Sequence, residues 1–170
     1  MTVNGTSTGI NMDTRYKDRL TFVNYDASSN VTQFSKTKDI PISYQYGYSN
    51  ALPVAEAKNA QNKTGLVEFK HEGFEDSTVP GVVTDTAQAQ SGKKYFNGDY
   101  TISFTRPNTR TYVIEYFYYD SGTSKWVFIG KPYTGPTLAL TEGTRIDNIR
   151  IRPVDSAMTT YTYDPLFGIT

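Results

Sequence analysis

Apolar and polar residues alternate over short runs through most of this chain, and turn-forming residues break the runs. Tyr100-Thr101-Ile102-Ser103-Phe104 is the clearest case, with large apolar side chains on one face and small hydroxyls on the other. Leu20–Tyr25, Val31–Ser35, Ile42–Tyr46, Leu66–Glu72, Lys125–Lys131 and Thr137–Thr141 read as further strands, rich in β-branched and aromatic residues. Asp26-Ala27-Ser28-Ser29-Asn30, Asp120-Ser121-Gly122-Thr123 and Glu142-Gly143-Thr144 supply the turns between them. Thr111–Tyr119 is nearly continuous in apolar and aromatic character, which predicts a central strand covered on both faces.

The stretch Ile146 to Thr170 closes the pattern. Arg145–Arg152 alternates until Pro153 removes a ladder donor, and Thr159–Tyr163 follows as a second strand. Asp164-Pro165 starts a turn, with Gly168 free to leave it. Two stretches break the β pattern. Val54–Ala60 is either a helical turn or two, given its Ala, Glu and Lys, or an irregular edge segment. Gln61-Asn62-Lys63-Thr64-Gly65 reads as a linker and places a domain boundary. The predicted fold class is all-β, a β-sandwich or jelly roll without a long amphipathic helix.

Composition narrows the partners. Lys and Arg total 17, as do Asp and Glu, so the formal charge is zero and nothing pulls the chain toward nucleic acid or an anionic membrane. Cysteine is absent, which removes disulfides, thiolate catalysis and Cys-based zinc sites. No apolar run is long enough to predict a membrane span. Met1 to Lys17 is rich in Thr, Asn, Gly and Ser and predicts a disordered lead-in with no secretion-signal pattern. Tyr 14 and Phe 9 compensate for modest hydrophobic content, since tyrosine suits half-buried sheet faces.

Little in the sequence spells out a reaction. His71 is the only histidine, and no nucleophile motif accompanies it, so a surface or edge role is expected rather than a general base. Glu72, Glu75 and Asp76 cluster in a loop, a residue set that suits glycosidase carboxylates, a Ca²⁺ site or plain solvated acids. The aromatic run Tyr112, Tyr116, Phe117, Tyr118 and Tyr119, with Trp126 and Phe128, could pack a core or offer a glycan-stacking face. Core packing should claim at least half of the rings. Tyr116, Tyr118 and Trp126 are the candidate stacking residues. Arg145, Arg150 and Arg152 alternate with apolar residues as on a solvated strand face.

The end stretch also carries a resemblance. Ile146-Asp147, Ile149-Arg150-Ile151, Pro153 and Ala157-Met158-Thr159-Thr160-Tyr161-Thr162-Tyr163-Asp164-Pro165-Leu166 resemble the segment that joins a β-sandwich module to the first YD repeats in RHS/YD-repeat proteins of Bacteroidetes. Tyr25-Asp26, Asn30-Val31, Lys38–Tyr44 and Pro53–Ala60 resemble the segment that precedes that sandwich, and Phe74-Glu75 with Ser91-Gly92-Lys93 resembles loops of galactose-binding and carbohydrate-binding jelly rolls. Trp126 falls much later than the Trp expected after the Phe-Glu loop, and Gly168-Ile169 departs from the usual Gly-Arg of a YD repeat.

The resemblance implies a galactose-binding or carbohydrate-binding jelly roll at 63–154. YD-repeat-like strands would flank it at 18–62 and 155–170, after the lead-in at 1–17. It implies a non-catalytic structural or interaction module of a large secreted or cell-surface protein, with a YD-repeat shell or a glycan as partner. A carbohydrate-binding module is the alternative, and a glycoside hydrolase is disfavoured. It also implies Glu75 and Asp147 as ligands of a structural Ca²⁺. The last ten residues are then expected to pair with the N-terminal strands around Tyr25 or Tyr44 and to add little to the sandwich core.

Overall fold

A computed structural model of the chain describes residues 19–164 and 168–169. The lead-in expected over 1–17 and the Pro165–Phe167 part of the last turn lie outside the described residues. Every described element is a β-strand, and every described pairing is antiparallel. In chain order the strands are β1 (Leu20–Tyr25), β2 (Val31–Lys36), β3 (Pro41–Gly47), β4 (Leu52–Lys58), β5 (Asn62–Lys63), β6 (Leu66–Val67), β7 (Lys70–Glu72), β8 (Val82–Thr84) and β9 (Lys94–Asn97). There follow β10 (Tyr100–Ser103), β11 (Tyr112–Asp120), β12 (Lys125–Tyr133), β13 (Thr137–Leu140), β14 (Arg145–Pro153), β15 (Ala157–Thr160), β16 (Tyr163–Asp164) and β17 (Gly168–Ile169).

Two sheets dominate. The first runs β1-β2-β3-β4-β15, and the second runs β12-β11-β14-β9-β8 with β7 also paired to β14. A two-stranded ribbon, β10-β13, brings Ile102, Leu138 and Leu140 against Tyr112, Ile114, Tyr116, Ile149 and Ile151, giving a sandwich-like core. Burial of this apolar surface is the main force holding the ribbon to the sheet. β15 follows directly from β14 but pairs with β4, so one continuous stretch of chain ties the two sheets together.

Four expectations need correction. Val54–Ala60 is neither helical nor an irregular edge. Most of it lies in β4, an interior strand between β3 and β15. Its alternation is real but muted, because the buried positions are the small Ala55 and Ala57, which let Phe69 and Ala60 approach closely. The expected linker is folded: Asn62–Lys63 pairs with Leu66–Val67 as a hairpin. Leu66–Glu72 is two strands rather than one, interrupted at Glu68 and Phe69. Thr111–Tyr119 is central, but its two faces are covered unequally: Tyr112, Ile114 and Tyr116 are buried, while the odd-numbered residues from 113 to 119 are only partly buried. The aromatic run hid this alternation because both faces carry large rings.

Strand β14 contains a bulge. Glu115 faces Arg150 and Phe117 faces Asp147, so two steps along β11 match three along β14. The extra residue leaves Asn148 at φ 51°, a left-handed conformation that Asn adopts more readily than most side chains. This phase change places Ile146, Ile149 and Ile151 all in the core although their spacing is uneven.

Polar side chains join the sheets. Gln45 pairs with the backbone of His71 through both ends of its amide, each at 2.8 Å. Ser43 Oγ donates to the Ala60 carbonyl at 2.7 Å, and Gln33 Oε1 accepts the Asn62 N–H at 2.9 Å. Glu68, buried, accepts from Arg110 Nη1 at 3.0 Å, from the Gln61 N–H at 2.8 Å and from the Asn108 amide. Arg110 Nη2 reaches Asp155 at 2.6 Å and the Asn59 carbonyl at 2.9 Å. Removing one partner of a buried ion pair leaves the other desolvated and unpaired. Arg110→Ala should therefore lower unfolding free energy by about 3 kcal/mol, read from urea denaturation. Asp155→Ala, which removes an exposed partner, should cost under about 1 kcal/mol.

Candidate functional site

The structure gathers the chemistry-bearing residues into three places. In the first, Glu75 and Asp147 grip a single loop. Glu75 Oε1 accepts the N–H groups of Lys93 and Lys94 at 2.7 and 2.9 Å. Asp147 Oδ2 accepts those of Gln90 and Ser91 at 3.0 and 3.2 Å, and its Oδ1 accepts that of Asn148 at 2.7 Å. The β14 bulge turns Asp147 toward this loop. Burial pushes its carboxyl up to about 7, against the opposing pull of three backbone N–H groups and with a further push from Glu75. The two residues read in sequence as Ca²⁺ ligands thus direct carboxylate oxygens at backbone donors. Among the described residues no three acidic or imidazole groups are arranged to hold a metal ion.

The second place is the outer face of the second sheet. Residues opposite one another across antiparallel strands share a face. Tyr119 faces Trp126 and Phe117 faces Phe128, so these four rings lie together on the side away from the ribbon. Trp126 meets Tyr119 and Tyr95 edge-on at 5.6 and 6.4 Å, and Phe117 lies 5.2 Å from Phe128, which is 50% exposed. The guanidinium of Arg145 sits 4.3 Å from the Tyr119 ring centre and 5.3 Å from that of Tyr95; Arg150 lies 5.6 Å from Phe128. Arg152 pairs with Glu115 at 2.6 Å, whereas Arg145 and Arg150 have no carboxylate partner among the described residues.

Two of the three proposed stacking residues are corrected here. Tyr116 is fully buried on the opposite face, where its hydroxyl bonds Glu142. Burial and then Glu142 push that hydroxyl's pKa up. Tyr118 packs against the same core. Only Trp126 lies on the outer face, with Tyr119, Phe117, Phe128, Arg145 and Arg150 beside it. Parity with Trp126 across the Asp120–Thr123 hairpin was the signal in the sequence that could have found them.

The third place is a cleft of about 280 Å³ between β3–β4 and the stretch from His71 to Ser77, with Tyr161 and Thr162 at its border. His71 is not at the surface: it is 6% exposed. Its Nδ1 lies 3.1 Å from the Ile149 carbonyl oxygen, which can only accept, so Nδ1 carries the proton. Burial first, and the charge of Arg150 after it, drive the imidazole down to about 4 against the pull of that hydrogen bond, so it is neutral at pH 7. Burial raises Glu72 as well, although its Oε1 accepts the Phe74 N–H at 2.9 Å. Asp76 accepts the Tyr48 N–H.

The fold and these sites define an all-β protein of antiparallel, sandwich-like sheets with aromatic outer faces. No helix among the described residues is long and apolar enough to cross a membrane. No protein-family model, curated protein or solved structure matches the chain.

His71 and Asp147 oppose each other in their response to pH. The unfolded chain holds the histidine proton more tightly than the fold does, so the His71 contribution is full above about 6.5 and is lost as pH falls toward about 4. For Asp147 the fold holds the proton more tightly, so its contribution is full below about 4 and is lost as pH rises through about 7. Each is worth on the order of 3 kcal/mol, and Glu72 adds to the Asp147 slope. Between pH 4 and 7 the His71 and Asp147 contributions largely offset, so the melting temperature of the native chain should fall only modestly as pH rises, by the share Glu72 adds. Asp147→Asn should make it rise with pH, and His71→Gln should make it fall. Parallel slopes in the two variants would refute the assignment.

Proposed function

We propose that the chain is a non-catalytic interaction module and that the outer face of its second sheet binds polysaccharide. The observation that carries this reading is the ring cluster of Phe117, Tyr119, Trp126 and Phe128 on the solvent side of β11–β12. Phe128 is half exposed and the other three rings are partly buried beside it, and exposed aromatic clusters mark binding surfaces. Pyranose rings offer apolar C–H faces to aromatic side chains and hydroxyls to donors. The unpaired guanidinium groups of Arg145 and Arg150 supply such donors. The finer fold reading, a jelly roll of the galactose-binding or carbohydrate-binding type, goes with this function.

The module's place in a larger YD-repeat protein at the cell surface is part of the proposal. Support comes from the chain's own Tyr-Asp turns. Asp26 accepts the N–H groups of Ser28 and Asn30 at 2.8 and 2.9 Å, so its carboxylate shapes the β1–β2 turn. Tyr163, beside Asp164, docks on the first sheet: its hydroxyl bonds the Pro53 carbonyl at 2.6 Å, and its ring meets Tyr48 edge-on at 5.3 Å. Both Tyr-Asp pairs thus touch the first sheet, Tyr25 as the end of its strand β1 and Tyr163 through side-chain contacts, although β16 pairs with β17 rather than with the N-terminal strands as expected.

Affinity electrophoresis in gels containing neutral and acidic plant and bacterial polysaccharides tests the function. Retardation should occur on at least one polymer, and Trp126→Ala and Phe128→Ala should each weaken it by about tenfold or more, the equivalent of about 1.4 kcal/mol. Tyr116→Phe removes only a buried hydroxyl and should leave retardation unchanged. Retardation on no polymer, or equal retardation of all variants, would overturn the reading.

A further inference from the structure

We propose that the cleft between β3–β4 and His71–Ser77 binds a small amino sugar in its protonated, cationic form. The site is separate from the ring cluster, since none of Phe117, Tyr119, Trp126 or Phe128 lines it.

The cleft is built to accept hydrogen bonds. His71 lines it with its Nδ1 proton committed to Ile149, so Nε2 presents a lone pair, and no hydrogen bond to it is made among the described residues. That nitrogen is held by a side chain more than nine-tenths buried, and the backbone of the same residue is clamped at both N–H and C=O by Gln45. Glu72 uses Oε1 on the Phe74 N–H, and Asp76 uses Oδ2 on the Tyr48 N–H. The second oxygen of each carboxylate has no hydrogen-bond partner among the described residues. Glu75 adds a third negative charge, and no Lys or Arg lines the cleft. Four cations stand on neighbouring segments without lining the cleft: Lys70 bonds the Ser103 carbonyl and its charge lowers the pKa of Glu72, Lys93 pairs with Asp164, Lys94 bonds the Ser77 carbonyl at the cleft's border, and Arg150 lies over Phe128 while its charge lowers the pKa of His71.

The complementary ligand is therefore positive and rich in donors. A bare metal ion does not fit, because the acidic and imidazole groups do not converge as ligands on one point. The donors must instead be spread over a body several ångströms across. Val54 and Phe74 give the cleft apolar wall, and Tyr46 and Tyr161 border it. A volume of about 280 Å³ stands at the small end of ligand sites, the size of one sugar ring rather than a chain. An ammonium group with several hydroxyls on one compact ring meets each of these requirements.

Nitrogen-15 NMR of the histidine ring in the full chain reads the site directly, since His71 is the only histidine. Glucosamine should shift the Nε2 resonance saturably. Glucose, which has the hydroxyls without the charge, and Nα-acetyl-lysine methylamide, which has the charge without the hydroxyls, should each bind at least about tenfold more weakly. Glu72→Gln and Asp76→Asn should each weaken glucosamine by about tenfold; Asp76→Asn serves alone if the Glu72 variant does not fold. An unmoved Nε2 resonance, glucose binding as tightly as glucosamine, or tighter binding of the lysine derivative would each overturn the proposal. The gel assay reads Trp126 and the NMR titration reads His71, so failure of one reading is distinguishable from failure of the other.

Discussion

The structure depends on a polar joint. Glu68 is buried where the first sheet, the β5–β6 hairpin and the loop before β11 meet, and Arg110 is the cation that makes its burial tolerable. Arg110 also holds the Asn59 carbonyl and Asp155, so one guanidinium fixes the end of β4, the hairpin and the turn that carries the chain from β14 to β15. The planar fork of arginine suits this task, since it donates in several directions at fixed angles. Hydrophobic contact contributes little at the joint, where Ala55, Ala57, Ala60, Phe69 and Met158 form a small cluster. What the joint supplies is a single relative arrangement of the sheets: side-chain amides and carboxylates find backbone partners in one geometry only. The Gln45–His71 pairing is the plainest example, a side chain taking the place of a missing strand neighbour at the edge of β7.

Much of the strand pattern was legible in the sequence, because alternation and turn residues act locally. β1, β2, β3, β10, β12, β13 and β14 fall close to the stretches that alternation and turn residues marked. The failures share a physical cause. β4 was obscured because its buried residues are alanines, which favour helix in isolation and here serve close approach. The hairpin at Asn62–Val67 was obscured because Asn62 bonds to distant parts of the chain, Thr32, Gln33 and Tyr44. In both cases the deciding partners are distant in sequence.

The candidate sites divide in the same way. Trp126 was visible as an isolated large ring, but choosing Tyr116 and Tyr118 beside it set the wrong parity on β11. The hairpin at Asp120–Thr123 fixes register, and register alone decides that Tyr119 and Phe117, not Tyr118 and Tyr116, share a face with Trp126. A one-residue error in such a strand exchanges core for surface. Glu75 and Asp147 were drawn together by resemblance, and the structure does place both against one loop, though facing its amides. The exposure of His71 was misjudged because burial of a short strand between two sheets leaves no periodic trace.

The two sheets dispose of their aromatic residues in an inverted way. On the first sheet Gln33, Ser43, Gln45, Ala55 and Ala57 face the rest of the molecule, while Phe22, Phe34, Tyr44 and Tyr46 form a continuous row on the other side, with neighbouring rings 6.1 to 6.4 Å apart. On the second sheet Phe117 and Trp126 also point away from the core. The two buried apolar clusters among the described residues are the core under the β10–β13 ribbon and the small group around Phe69, and the outward rings belong to neither. Rings kept on a surface fit the contact role proposed for it. That inference reaches the faces themselves before it reaches any particular ligand, and it holds for the row on the first sheet as well as for the cluster around Trp126.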